Sequence, residues 1–274
     1  MTKKITLLFY YFVFFILKSL NFIFRKNFTY VFKDIVQENS YEHIYIQNKK
    51  INFFIPNSMT KYRLKNFFNK EKETLYWIDN FNKNSIFFDI GANNGNYSIY
   101  ASCVHPKIKK IYAFEPSVLN LRVLSRNISI NSLQNKIKII QLPLFDKSPR
   151  ILNMSETTFE EGAAFNSFAK DYKSLGIYKS LSVSNNYSIL GSSLDFLIQS
   201  KIIPIPDYIK IDVDGIEHLI LSGSKKMLRS SKVKSILVEL IPEHKNQYDR
   251  SFKILKNSGF ELSEKHDFNH IFVK

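Results

Sequence analysis

The sequence predicts an α/β fold with a mostly parallel sheet, and two patterns predict it. From Ile86 onward, short strand-like runs alternate with helical periodicity, the order expected of strands joined by right-handed helical crossovers. The first of these runs, Ile86-Phe87-Phe88-Asp89-Ile90, is almost continuously apolar. A strand reads that way when both faces of its sheet are covered, as in parallel sheets. No internal repeat competes with this reading.

The elements follow in order. Residues 5–17 form an apolar, aromatic-rich run preceded by Lys3 and Lys4 and interrupted by Lys18; Leu20, Phe22, Ile23 and Phe24 continue it. The uninterrupted part falls short of the ~20 residues a spanning helix needs, and a snorkelling Lys18 would extend it. A cleaved signal requires small residues at its end, and Arg25-Lys26-Asn27 has none. Two readings of this segment stay open: attachment to a membrane surface through residues 5–24, or packing on the main domain or a partner subunit. Lys18, Arg25, Lys26 and Lys33 favour a cytoplasmic main domain if the segment is an anchor.

Residues 1–35 are therefore set apart, followed by a hairpin and a helix over 36–80 and a main domain over 81–274. Ile44–Ile46 and Ile51–Ile55 are the hairpin arms, turning at Asn48-Lys49-Lys50. Ser58 or Thr60 caps one helix, whose apolar positions Leu64, Phe67, Phe68, Leu75 and Ile78 carry it to about Asp79. Strands are expected at 86–90, 110–114, 137–142, 208–212 and 235–240. Helices are expected at about 95–104, 117–131, 193–200, 216–229 and 246–258. Residues 260–262 and 270–273 read as two closing strands. Segment 146–191 is rich in Ser, Asn and Lys, has weak periodicity, and reads as an insertion that binds the acceptor.

The formal charge of +15 suggests nucleic acid or an anionic membrane as partner. Only seven of the 39 basic residues are Arg, and the Lys are scattered. Nucleic-acid readers lean on Arg, so compositional drift is preferred to nucleic-acid binding. Cys103 is the single cysteine, which excludes an internal disulfide and a Cys-based zinc site.

The chemistry concentrates in three places. The first is Asp89-Ile90-Gly91-Ala92-Asn93-Asn94-Gly95 at the end of the first strand. Its glycines let the backbone approach a ligand, and the helix that follows offers N–H donors. The middle glycine of a dinucleotide loop is missing, so the spacing suits a ligand without pyrophosphate. The second is Glu115 at the next strand end, placed to accept both hydroxyls of a ribose. The third is Lys210-Ile211-Asp212-Val213-Asp214-Gly215-Ile216-Glu217, with four ionisable groups in eight residues. In a strand, Lys210, Asp212 and Asp214 would point to one side. Burying them all is costly unless they pair or work, while Lys210 and Glu217 also fit a pair and a cap.

Four segments together resemble the FkbM family of S-adenosylmethionine-dependent methyltransferases: residues 88–98, 113–116, 209–217 and 236–239. Ser193-Leu194-Asp195 fits the same pattern. The resemblance covers about residues 70–274. It implies the class I methyltransferase fold, a seven-stranded sheet whose last strand is antiparallel, and O-methylation, commonly of sugars, glycans or natural products. Asp214 departs from the pattern, since the family often has Glu there. By this resemblance Gly91, Asn93 and Gly95 surround the methionine end of the cofactor, with Asp89 near its amino group. Glu115 holds the ribose and Asp146 lies near the adenine amine.

Asp212 and Asp214 are the candidate bases for a hydroxyl proton, ahead of Glu217 and Glu239. A divalent metal held by Asp212 and Asp214 is the alternative. The six His show no ligand spacing, and only His244, past the fifth strand, merits testing as a base. Tyr172, Tyr178 and Tyr187 of the insertion are candidates for stacking on sugar rings. Two other classes compete: a non-catalytic, membrane-associated scaffold with the same fold, and a nucleic-acid methyltransferase.

Overall fold

The computed structural model describes residues 2–147, 149–164, 166–168 and 182–274. The chain divides into two compact units, Met1–Glu42 and His43–Lys274.

The first unit holds two helices, α1 (Thr2–Phe24) and α2 (Phe28–Glu38). Lys18 does not interrupt α1, because lysine is a good helix former whatever its effect on hydropathy. The second helix is absent from the sequence expectations. Its join to the first is fixed by Asn21, whose amide donates to Thr29 Oγ1 (2.9 Å) and accepts from Thr29 N–H (3.3 Å).

A hairpin follows, β1 (Tyr41–Ile46) and β2 (Lys49–Phe54). It turns at Gln47-Asn48, earlier than expected, with both φ angles positive (+47° and +64°). Two-residue hairpins require that geometry, and Asn tolerates it well. The single helix expected to Asp79 is two, α3 (Ser58–Lys65) and α4 (Lys72–Asp79). Asn57, not Ser58 or Thr60, is the N-cap of α3, in a reciprocal capping box with Thr60. Helical periodicity continues through the break because Phe67 is buried there against the rings of Tyr97 and Tyr100.

The main sheet then assembles. In chain order come β3 (Ile86–Ile90), α5 (Asn96–Val104), β4 (Lys110–Phe114), α6 (Val118–Ile130) and β5 (Ile137–Ile140). An insertion contributes β6 (Arg150–Glu156), β7 (Ser167–Phe168) and β8 (Asn185–Gly191). The chain returns through α7 (Leu194–Gln199), β9 (Tyr208–Ile211), α8 (Glu217–Ser222), α9 (Lys225–Leu228), β10 (Ser235–Glu239), α10 (Lys245–Asn257), β11 (Glu261–His266) and β12 (Asn269–Val273). The helix expected over 216–229 is thus two.

The seven-stranded sheet has the order β11-β12-β10-β9-β3-β4-β5. Pairs from β10 to β5 are parallel, while β12 runs antiparallel between β10 and β11. One face buries Phe87, Ile99, Leu124 and Trp77 under the hairpin, α3–α6 and the glycine loop. The other buries Phe88, Ile209, Ile220 and Leu255 under α7–α10. Trp77 reaches through its face to donate to Ser235 Oγ at 2.9 Å, fixing α4 to the base of β10. Strand order reverses between β3 and β9, and open sheets of this kind bind ligands at that switch point, beyond the carboxyl strand ends.

Among the described residues of the insertion, β7-β6-β8 form an antiparallel sheet over a small core of Phe145, Met154, Phe168, Ile216 and Leu219. Tyr172 and Tyr178 lie outside the described residues.

Candidate active site

Gly91 leaves β3 with φ +84° and lies against the end of β9. A Cβ on Gly91 would fall 1.9 Å from the Asp212 carbonyl oxygen, so only glycine lets these two strand ends meet. The loop is held further by Gly91 and Ala92 N–H groups, which both donate to Phe114 O at 3.0 Å. Asn93 also has a positive φ, +50°, and its N–H donates to Glu115 Oε2 at 2.7 Å. Glu115 accepts a second backbone donor, Ser117 N–H, at 2.9 Å. Burial pushes the Glu115 carboxyl up to about 7, against the pull of these two donors.

Gly91, Asn93, Glu115 and Asp212 line one cavity of about 590 Å³ of open space, whose other walls are mostly apolar, including Phe114, Pro116, Leu142 and Ile220. A second cavity, about 1260 Å³, shares Gly91, Asn93, Ala164, Asp212 and Asp214 with the first. Its remaining lining is polar and aromatic: Arg63, Lys70, Glu71, Tyr97, Glu239 and Phe268 are among it.

Beneath the junction of the cavities lies a network of charges. Lys210, 1% exposed, donates to Asp212 Oδ2 at 2.6 Å, and its ammonium stands 4.7 Å from the centre of the Tyr97 ring. Burial pulls the Lys210 ammonium down, but Asp212, Glu71 and Asp89 together raise it above the ordinary lysine value. Burial likewise opposes charge on Asp212, yet Lys210 outweighs it and holds Asp212 below the usual carboxylate range. The Asp212 charge first, and burial second, push Glu239 up to about 9. This direction favours a proton on Glu239, shared in its hydrogen bond with Asp212. Tyr97 OH donates to Glu71 at 2.7 Å, completing the surround.

Several expectations change. Asp89 is fully buried in β3, opposite Lys210 in register, and accepts from Ser98 Oγ at 2.6 Å. It lines neither cavity and lies under the loop, with its Oδ1 buried and without a hydrogen-bond partner among the described residues. Gly95 caps α5 with φ +87° and lines neither cavity; a Cβ there would fall 2.6 Å from Leu124 Cδ1. Asp146 lines neither cavity; Leu142, Pro143 and Leu144 occupy that wall. The strand ends at Ile211, and Asp214 adopts φ +59° in the turn, so the alternation reaches Asp212 but not Asp214. Asp214 still borders both cavities. Glu217 closes that turn by accepting from Gly215 N–H at 2.9 Å, which is the capping role. His244 precedes α10 outside both linings, its N–H donating to Ile241 O. Tyr187 donates to Glu156 Oε1 at 3.1 Å and lines neither cavity.

The chain matches the Methyltransferase FkbM domain over residues 89–262, more than half its length, and the matched span contains Gly91, Asn93, Glu115, Lys210, Asp212 and Glu239. The chain belongs to the FkbM methyltransferase family. It is 39% identical to methyltransferase sdnD of Sordaria araneosa over 69 residues, 25% of this chain and 26% of that protein. A methyltransferase FkbM from Methylobacillus flagellatus shares the fold, with a TM-score of 0.50 at 14% identity, over 80% of this chain and 55% of that one. The match thus spans about a quarter of the curated relative's length and about half of the solved one.

The donor chemistry of the site separates the two groups the sequence suggested. Asn93 Oδ1 is buried without a hydrogen-bond partner among the described residues, on the wall both cavities share. Beside the glycine cradle and the Glu115 carboxylate it fits a polar nucleoside ligand. A divalent metal does not fit. Asp212 already carries the Lys210 ammonium, and no group of three or more His, Cys, Asp or Glu among the described residues is arranged to hold an ion.

Sequence reasoning missed Glu71, Tyr97, Arg63 and Lys70, which lie on or between α3, α4 and α5, and it missed the insertion's part in the wall of the first cavity. Asn93 and Asn120 side-chain amides both donate to Ala163 O, drawing residues 162–164 over the glycine loop. No spacing in the sequence announces that contact.

Proposed function

We propose that the chain is an S-adenosylmethionine-dependent O-methyltransferase acting on a sugar, glycan or related small-molecule hydroxyl. The observation that carries the reading is the meeting of Gly91 and Asp212 at the switch point, where an apolar cavity with a ribose-binding acid joins a polar one. S-adenosylmethionine, when bound, supplies an electrophilic methyl on a sulfonium. Gly91 and Asn93 would hold its amino-acid end, Glu115 its ribose hydroxyls, and Phe114, Leu142 and Ile220 its adenine. The second cavity takes the acceptor. Exposed aromatics at its rim, Tyr62 (57%) and Phe268 (45%), offer faces for sugar C–H groups, and Asn66, Asn94 and Asn96 offer hydroxyl partners.

A sugar hydroxyl is barely acidic, so accepting its proton as the methyl moves contributes about 10²–10⁴-fold. Asp212 is the group for this role: it borders both cavities and is held ionised by Lys210 and by its hydrogen bond with Glu239. Fixing the acceptor in line with the methyl supplies the remainder through proximity.

Isothermal titration with S-adenosylmethionine tests the reading, and absence of binding overturns it. The acceptor class is tested by incubating the protein and methyl-labelled cofactor with a glycan extract; label on a carbohydrate oxygen, located by mass spectrometry, is expected. The titration has a further expected signature. Ribose hydroxyls donate to the ionised form of Glu115, whose carboxyl sits at about 7 in the free protein. Below that pH binding must expel a proton, so affinity rises with pH and levels off above 7. It should be roughly tenfold tighter at pH 8 than at pH 6, and Glu115→Gln should weaken it and flatten the dependence. An unchanged slope in that variant removes Glu115 from the ribose site.

A further inference from the structure

The first unit presents an apolar surface of a particular shape. No residue of α1 is buried, and its mean hydropathy reaches 1.9 over an 18-residue window. Leu7, Leu8, Phe9, Tyr10, Tyr11 and Phe12 are consecutive and 47–71% exposed. At 100° per residue these six surround the helix, whereas a protein partner or a flat interfacial position requires only a stripe. The Thr and Ser hydroxyls Thr6 Oγ1 and Ser19 Oγ are closed on the helix's own backbone, donating to Thr2 O and Phe15 O, both at 3.0 Å. Hydrocarbon demands such closure.

Charges bound the apolar stretch. Lys3 and Lys4 precede it and Lys18 follows it. Lys4 to Lys18 rises about 21 Å, and lysine stems reaching outward at both ends extend this to the ~30 Å of a hydrocarbon core. The second helix lies beside the far end. Lys33 stands 5.7 Å from the Phe14 ring centre, and the Asn21–Thr29 pair fixes the join. This sets α2 at the level of Lys18. Along α2, Phe28, Val31, Phe32 and Ile35 form one face, with Lys33 and Asp34 off it, the pattern of a helix lying in a headgroup region. Around it Lys18, Arg25, Lys26 and Lys33 outnumber Asp34 and Glu38, which complements anionic lipid.

We propose that α1 inserts into an anionic lipid bilayer between Lys4 and Lys18 and that α2 lies among the headgroups on the Lys18 side. This does not rest on the methyltransferase reading. The full chain is mixed with vesicles of phosphatidylcholine and phosphatidylglycerol, floated through a density gradient and washed with alkaline carbonate. The expected result is flotation that survives the wash. Phe9→Asp combined with Phe12→Asp should lower the vesicle-bound fraction on the order of 100-fold or more, with the unfolding temperature unchanged. Arg25→Glu with Lys26→Glu should weaken binding several-fold to anionic vesicles alone. Release by carbonate, or equal flotation of the Phe variant, overturns insertion. A dimer that forms without vesicles and dissociates in the Phe variant also overturns it, because a second copy then covers α1.

Discussion

Asp212→Asn is expected to lower methyl transfer by about 10²–10⁴-fold, the usual contribution of a positioned base, while the affinity for S-adenosylmethionine changes only a few-fold. The substitution keeps the shape of the side chain at the junction of the two cavities and removes its charge. That charge has two partners. Lys210, 1% exposed, loses the counter-ion at 2.6 Å, and breaking such a buried pair costs about 3–5 kcal/mol. Glu239, raised chiefly by the Asp212 charge, moves back toward an ordinary carboxyl. A loss of activity alone would therefore not separate a base from a structural anchor. Asp212→Asn with Lys210→Met removes both members of the pair and should recover most of the lost unfolding temperature without recovering turnover. Near-normal turnover in either variant takes Asp212 out of the mechanism. Recovery of turnover together with stability assigns it to holding Lys210.

That distinction shows what the sequence makes legible and what it does not. Alternating strand and helix signals state the sheet, because a strand buried on both faces has to be apolar throughout; β3 reads directly. The chain positions of Gly91, Glu115 and Asp212 are legible for the same reason: each directly follows the last residue of a strand, and strand ends converge at the switch point. Depth is not legible. Asp89 and Gly95 fall within the same motif as Gly91 and Asn93, yet one is buried under the loop and the other faces Leu124. A strand residue and a helix cap obey spacing rules that are blind to what packs behind them. The insertion illustrates another limit. In β6, Leu152, Met154 and Glu156 point inward between exposed or half-exposed neighbours, but Asn, Ser and Arg fill the pattern so that hydropathy hardly alternates. Glu71 and Tyr97, 26 residues apart, meet through a hydrogen bond that no local signal predicts.

The contrast between the two loop glycines gives the second large effect. Gly91→Ala is expected to abolish S-adenosylmethionine binding, and Gly95→Ala to leave it within a few-fold. Both residues have φ near +85°, so alanine at either position incurs the left-handed penalty of about 1–2 kcal/mol. The neighbours decide the rest. At Gly91 the new carbon would lie 1.9 Å from the Asp212 carbonyl oxygen and 2.9 Å from its carbonyl carbon. Both are backbone atoms of a central strand end, so either the loop must lift or the end of β9 must move. Either movement separates Asn93 from Glu115 or shifts Asp212, and both cavities lose their shared wall. At Gly95 the obstacle is Leu124 Cδ1 at 2.6 Å, the end of a side chain that can turn aside. Calorimetric titration and thermal unfolding of the two variants measure the difference. If Gly95→Ala loses binding as completely as Gly91→Ala while staying folded, the loop works as one rigid unit and Gly91 has no special place at the ligand. Binding retained in Gly91→Ala would mean that the cofactor does not sit where β3 meets β9, and the site proposed here would be wrong.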